Sequence, residues 1–136
     1  MNADATALVH QTMPLSATLG ITASTFDAEE VVLSLEWKPE LCTSGNILHG
    51  GALMTLADCA GAAIAFLNLP DGAVGTSTIE SKTNFLGAVS EGAAVATARP
   101  LHRGSTTIVV ETEIHSEERL VAKVTQTQAV LRPRPS

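Results

Sequence analysis

Apolar and polar positions alternate most regularly around residue 33, where Val31, Leu33 and Leu35 interleave with Val32, Ser34 and Glu36. That period of two predicts a strand from Glu30 to Trp37 with one face on a core. Thr18 to Phe26 predicts a second strand, joined to the first through the Asp27-Ala28-Glu29 turn as an antiparallel pair. Upstream, Asp4 to Thr12 predicts a short peripheral helix closed by Pro14 and anchored by Leu8 and Val9. After a turn-rich loop, Pro39 to Leu48, the period changes. Leu53, Leu56, Ala57, Ala60, Ile64 and Leu67 recur three and four apart, so a helix starts at Gly50-Gly51 and runs to the Pro70-Asp71-Gly72 turn. Its many small residues, among them Ala57, Ala60, Gly61 and Ala65, let other backbone approach it closely.

The remainder reads as strands: about Gly75 to Phe85, Ala93 to His102, Thr106 to His115 and Leu120 to Leu131. They are separated by Ser90-Glu91-Gly92, Arg103-Gly104 and Ser116-Glu117-Glu118-Arg119. Connections this short predict antiparallel neighbours. One long helix set between two strands and four more predicts an α+β fold, a curved antiparallel sheet wrapped around that helix. The 136 residues amount to a single domain, with Arg132 to Ser136 as a loose tail.

Composition narrows the partners. The net charge is −6 and the cations are scattered, whereas nucleic acid binding requires a basic stripe to neutralise phosphates. No nucleic-acid partner is expected. Lys82, Arg99, Arg103, Arg132 and Arg134 remain available to a single anionic ligand. Met1 to Gly20 lacks the basic start, apolar stretch and cleavage site of a signal peptide, so the expected location is the cytoplasm. Cys42 and Cys59 suit that reducing compartment, Cys59 as a small core residue. Gly50 to Leu69 is nearly long enough to span a bilayer. It nevertheless carries Asp58, is dominated by Ala and Gly, and has no Lys or Arg between Lys38 and Lys82 to flank it, so no membrane association is expected.

Asp58 is the only charge in that helix, and Asp is a poor helix-interior residue. Either it faces solvent through a gap in the apolar wheel, or it is a functional carboxylate in a partly apolar cleft. His49-Gly50-Gly51 places two residues without side chains at the helix N-terminus, where free backbone N–H groups meet the positive end of the dipole. Such donors suit the oxyanion that forms when a thioester carbonyl is attacked. Helix rise separates Gly50 from Asp58 by about 12 Å, whereas attack and oxyanion contact each need about 3 Å. If both act, Asp58 of one subunit must face Gly50 of another, which predicts a homodimer.

His49-Gly50-Gly51, an acid nine residues after the histidine, and the strand Thr78-Ile79-Glu80-Ser81-Lys82-Thr83-Asn84-Phe85-Leu86 together resemble the phenylacetate-degradation (PaaI-like) and 4-hydroxybenzoyl-CoA thioesterases. The resemblance covers about Leu48 to Val130 and implies the hotdog fold. It implies hydrolysis of an acyl-CoA without a cofactor, coenzyme A entering as part of the substrate, and often a tetramer built from two dimers; no metal is expected, because His49, Cys42, His102 and His115 lack metal-ligand spacing. Carried over, Asp58 is nucleophile or general base, Gly50 gives the oxyanion N–H, and His49 shapes the loop with Gly51 beside it. A hydroxyl that contacts the carboxylate or its water falls on Thr78, with Thr76 as near rival. The family's substrate-orienting Asn or Gln six residues before the histidine is replaced by Thr43. Asn46 stands where the family usually has glycine and suits a left-handed turn first, a polar contact second. Arg103, at a predicted hairpin tip, is the favoured partner for the coenzyme A phosphates. The rival expectations are a non-catalytic acyl-CoA binding module and a hotdog hydratase or dehydratase.

Overall fold

The computed structural model describes residues 1–135. Helices α1 (Ala3–Thr12) and α2 (Pro14–Leu19) precede strands β1 (Thr22–Phe26) and β2 (Val31–Glu36). A 3₁₀ turn at Pro39–Leu41 leads to the long helix α3 (Gly50–Leu67), and strands β3 (Gly75–Phe85), β4 (Ala93–Arg103), β5 (Thr107–Ser116) and β6 (Arg119–Leu131) complete the chain. The strands form one antiparallel sheet of six, ordered β1-β2-β4-β5-β6-β3. α3 packs on β2, β4, β5, β6 and β3, the hotdog arrangement anticipated above.

The periodicities explain why these elements meet. Leu53, Leu56, Ala57, Ala60 and Ile64 turn inward from α3 onto Leu33 and Leu35 of β2 and Ile108, Val110 and Ile114 of β5, all buried. Between them β4 contributes only Ala94, Ala96 and Ala98, also buried, and these small side chains let the helix settle close to the sheet. Each fully buried Leu or Ile contributes about 1.5–3 kcal/mol relative to exposure. α3 is long and apolar enough to cross a membrane by length and composition, yet 50% of it is buried inside the domain.

Three expectations need correction. Pro14 closes α1 but also opens a second helix, since a proline at the first helical position gives up no hydrogen bond. α2 then ends on Gly20, whose φ of 74° is left-handed, and β1 cannot begin before Thr22. Second, β3 does not lie beside β4; it pairs with β6 at the sheet edge. The 86–92 segment is a crossover and not a hairpin. Its Leu86 and Gly87 N–H groups donate to the Val121 carbonyl at 2.8 and 3.1 Å, while its own Val89 and Gly92 carbonyls accept from Leu48 at 2.9 Å and Trp37 at 2.7 Å. Buried Val89 pins it in place. Third, the tail is held at its first residue, because the Arg132 guanidinium donates to the Asp71 and Ser105 carbonyls at 3.1 and 3.0 Å. Ser136, the last residue of that expected tail, lies outside the described residues.

Candidate active site

Asp58 lies midway along α3 on the side turned away from the core, in line with Met54, Ala62 and Phe66. It reaches the surface, but it is not free. The Gln126 amide donates to Asp58 Oδ1 at 2.6 Å, and the Thr78 hydroxyl donates to the same oxygen at 3.2 Å. Gln128 in turn donates to Thr78 Oγ1 at 2.7 Å. A carboxylate bound by short N–H and O–H donors is oriented more firmly than one solvated by water. Of the two hydroxyls weighed for this contact, Thr78 makes it; Thr76 stands beside an apolar groove.

Gln126 and Gln128 were not singled out from the sequence, although the signal was there. In β6, Ala122, Val124, Gln126 and Gln128 occupy one alternating face, and all four are buried. Two amides continuing the phase of a core face are out of place in a purely structural strand.

At the start of α3, His49 is extended (φ −60°, ψ 137°) and caps the helix. Its Nδ1 accepts the Gly51 N–H at 2.9 Å, and its carbonyl accepts from Ala52 and Leu53 at 2.9 and 3.2 Å. Among the described residues nothing accepts the Gly50 N–H. A Cβ on Gly50 would stand 3.1 Å from the Phe85 ring, so the glycine lets the end of β3 close over the helix start. The loop leading in turns through Gly45 (φ 81°) and Asn46 (φ 58°), and the Asn46 carbonyl accepts from the Trp37 indole at 2.9 Å. Asn46 thus takes the left-handed position read from the sequence. Thr43 is exposed on the same loop, its N–H bonded to the Ile47 carbonyl at 2.9 Å.

A family model described as the thioesterase superfamily matches residues 45–123, which include the His49 cap, Asp58 and Thr78. The chain belongs to the thioesterase superfamily. Relatives agree: "Putative esterase ComA2" of Bacillus subtilis is 36% identical over 116 residues, covering 84% of this chain and 91% of the relative. A similarly named esterase of Saccharolobus solfataricus is 32% identical over 115 residues, covering 84% and 81%. Among solved structures, a thioesterase family protein from Silicibacter pomeroyi superposes with a TM-score of 0.86 at 27% identity, covering 96% of this chain and 98% of that one. This thioesterase is accordingly a thioester hydrolase.

Two further features of the thioesterase bear on its chemistry. An apolar groove of about 320 Å³ opens between α1 and the second half of α3, lined by Leu8, Met13, Ala62, Phe66, Leu67 and Thr76 among others. Ala62 is one helical turn beyond Asp58, so the groove adjoins the carboxylate. Leu8, expected to anchor α1 with Val9, is half exposed along this groove, whereas Val9 enters the core together with Ala5. The second feature is Cys59, whose thiol burial and then the neighbouring Asp58 charge push up to about 11; at neutral pH it stays uncharged and is no nucleophile. Arg103 sits apart from Asp58 within the subunit. It lies at the end of β4, bonded to Glu29 at 3.2 Å and to the Ala28 carbonyl at 3.4 Å.

Proposed function

We propose that the protein hydrolyses acyl-CoA thioesters of the small aryl or short- to medium-chain class to the free acid and coenzyme A, as a member of the PaaI-like branch. The observation that carries the reading is the Asp58 carboxylate, fixed at 2.6 Å by Gln126 and adjoining an apolar groove that suits an acyl group. Water adds to the carbonyl carbon, the C–S bond breaks, and the thiolate leaves to take up a proton as free coenzyme A. Asp58 acts either as the nucleophile, through a mixed anhydride that water then opens, or as the base that takes the proton from water. The oxyanion is held by the Gly50 N–H, which the dipole of α3 reinforces.

The spacing of about 12 Å between Gly50 and Asp58 along α3 requires the two groups to come from different subunits. The surface supports such a partner: β3 is an edge strand, and Met54, Phe66 and Ile79 are exposed around it and along α3. A second copy set antiparallel across this face would bring its Gly50 to Asp58, and two such dimers would make the tetramer. Arg103 and Lys82 are the proposed contacts for the coenzyme A phosphates. Lys82 lies on the site's own strand and among the described residues bonds only Asn84, at 2.9 Å, while the Arg103 pair with Glu29 is exposed and weak enough to exchange for phosphate. The reaction needs no cofactor, and its proposed place is the cytoplasm. The hydratase alternative gains no support, since His49 already uses Nδ1 to cap Gly51.

The test is free-thiol release from acyl-CoAs of graded length and aromaticity. Turnover that disappears in Asp58→Ala supports the reading. Turnover equal to the parent in Asp58→Ala, or binding without turnover across the panel, overturns it.

A further inference from the structure

Gln126 and Gln128 are almost wholly buried at 1% and 0% exposure, and among the described residues the carbonyl oxygen of each has no hydrogen-bond partner. Buried acceptors are normally paired, because leaving one unpaired is unfavourable. The fold therefore tolerates two of them side by side for the sake of their N–H ends. Gln126 directs its amide N–H to Asp58 Oδ1 at 2.6 Å. Turned over, the same amide would press an oxygen against the carboxylate, so chemistry fixes its orientation.

The orientation creates a steric demand on α3. Gln126 Oε1 occupies the space where a side chain at position 61 would begin, and a Cβ built on Gly61 would stand 1.6 Å from it. Gly61 is buried in the middle of a helix, where glycine is otherwise unfavourable. Its missing side chain is the recess that admits the Gln126 carbonyl.

Gln128 acts one step further back. A threonine hydroxyl has one proton and two lone pairs. Gln128 donates to Thr78 Oγ1 at 2.7 Å, which occupies a lone pair and leaves the hydroxyl proton to point at Asp58. Both donors thus converge on Oδ1, and among the described residues Oδ2 receives none.

We infer that Gln126 and Gln128 are positioning residues that make the two oxygens of Asp58 inequivalent, saturating Oδ1 and presenting Oδ2 to the thioester carbonyl or its water. This rests on Asp58 being the reacting carboxylate. Neither glutamine touches substrate. Their removal should therefore lower kcat with little change in KM.

The experiment measures kcat and KM for the full chain on its best acyl-CoA, with melting temperature recorded for every variant. Gln126→Leu is expected to lower kcat by about 10- to 100-fold per folded molecule and leave KM within about twofold. Gln126→Glu, which keeps the shape of the side chain but sets a like charge in place of the donor beside Asp58, should lower kcat further. Gln128→Leu should lower it more weakly. A fall in kcat that only tracks lost folded protein overturns the inference, as does parental kcat in Gln126→Leu. If the buried variants do not fold, the exposed Thr78 decides: Thr78→Ser should keep the parental kcat while Thr78→Val lowers it about tenfold with KM unmoved, and parental kcat in Thr78→Val overturns the inference. Asp58→Asn separates the two levels. Activity in Asp58→Asn removes the catalytic reading itself, whereas an inactive Asp58→Asn beside a parental Gln126→Leu removes only the role of the glutamines.

Discussion

α3 rests on two halves of one sheet that are built from different chemistry. Under β2, β4 and β5 the helix meets Leu33, Leu35, Ala96, Ile108 and Val110, all fully buried, and the contact is almost wholly apolar, with Thr112 of β5 as its buried polar exception. Towards β6 and β3 it meets Gln126, Gln128 and Thr78, and the single carboxylate of the helix turns to that side. The first half stabilises the fold by burial. The second accepts unpaired carbonyl oxygens to hold one group in one orientation. On the function proposed above, stability and activity are carried by opposite flanks of the same helix, and variants on the two flanks should fail differently.

The sharpest way to test that division is Asp58→Asn, which is nearly isosteric and exposed. It should reduce kcat by at least about 10³-fold, in keeping with loss of a nucleophile or base, while thermal unfolding shows little change. Next comes Leu56→Ala on the apolar flank. It should destabilise the fold by about 2–5 kcal/mol in denaturant titration, with kcat per folded molecule close to the parent; a selective loss of kcat would break the comparison. Thr78→Val should reduce kcat by about tenfold, the value of one hydrogen bond to a charged group, and leave the unfolding midpoint nearly unmoved.

The smallest effect concerns Cys59, which sits beside Asp58 yet belongs to the buried flank. Its pKa is raised from 9.0 to about 11, so the folded state holds the thiol proton more tightly than the unfolded chain does. That contribution is fully present below pH 9 and is lost as pH rises through about 11. Denaturant titrations across this window should show stability falling more steeply in the parent than in Cys59→Ala, and equal slopes would place the thiol elsewhere. Activity in Cys59→Ala should remain dependent on Asp58.

Much of this was legible in the residues. β2, α3 and the spans of β3 to β6 follow from clean periods of two and 3.6, and Asp58 stood out because a helix otherwise apolar has no structural use for a charge at that point. Asn46 was readable as a left-handed turn residue because few other side chains tolerate a positive φ. What failed was either too short to show a period or non-local. α2 is a six-residue helix, too short to show a period, and its left-handed Gly20 cap looks like any turn glycine. The place of β3 beside β6 depends on Val89 entering the core and on backbone bonds to Val121, Leu48 and Trp37, none of which a local pattern encodes. Gln126 and Gln128 were overlooked because Thr125 and Thr127 flank them, so the stretch resembles a solvated strand until its phase is compared with Ala122 and Val124.

Gly61 has a consequence for anyone seeking a hardier version of this protein. A glycine inside an 18-residue helix is the first position that a stabilisation campaign would replace by alanine, for a nominal gain of about 1 kcal/mol in helix propensity. Here the added methyl would collide with the Gln126 carbonyl at 1.6 Å, and relief requires the amide to swing away from Asp58. The substitution that every propensity scale recommends is therefore one that should cost the fold its packing around Gln126 and, on the function proposed above, the orientation of Asp58 as well. At this position the rule of thumb for helices and the demands of a neighbouring strand are set against each other by a single carbon atom.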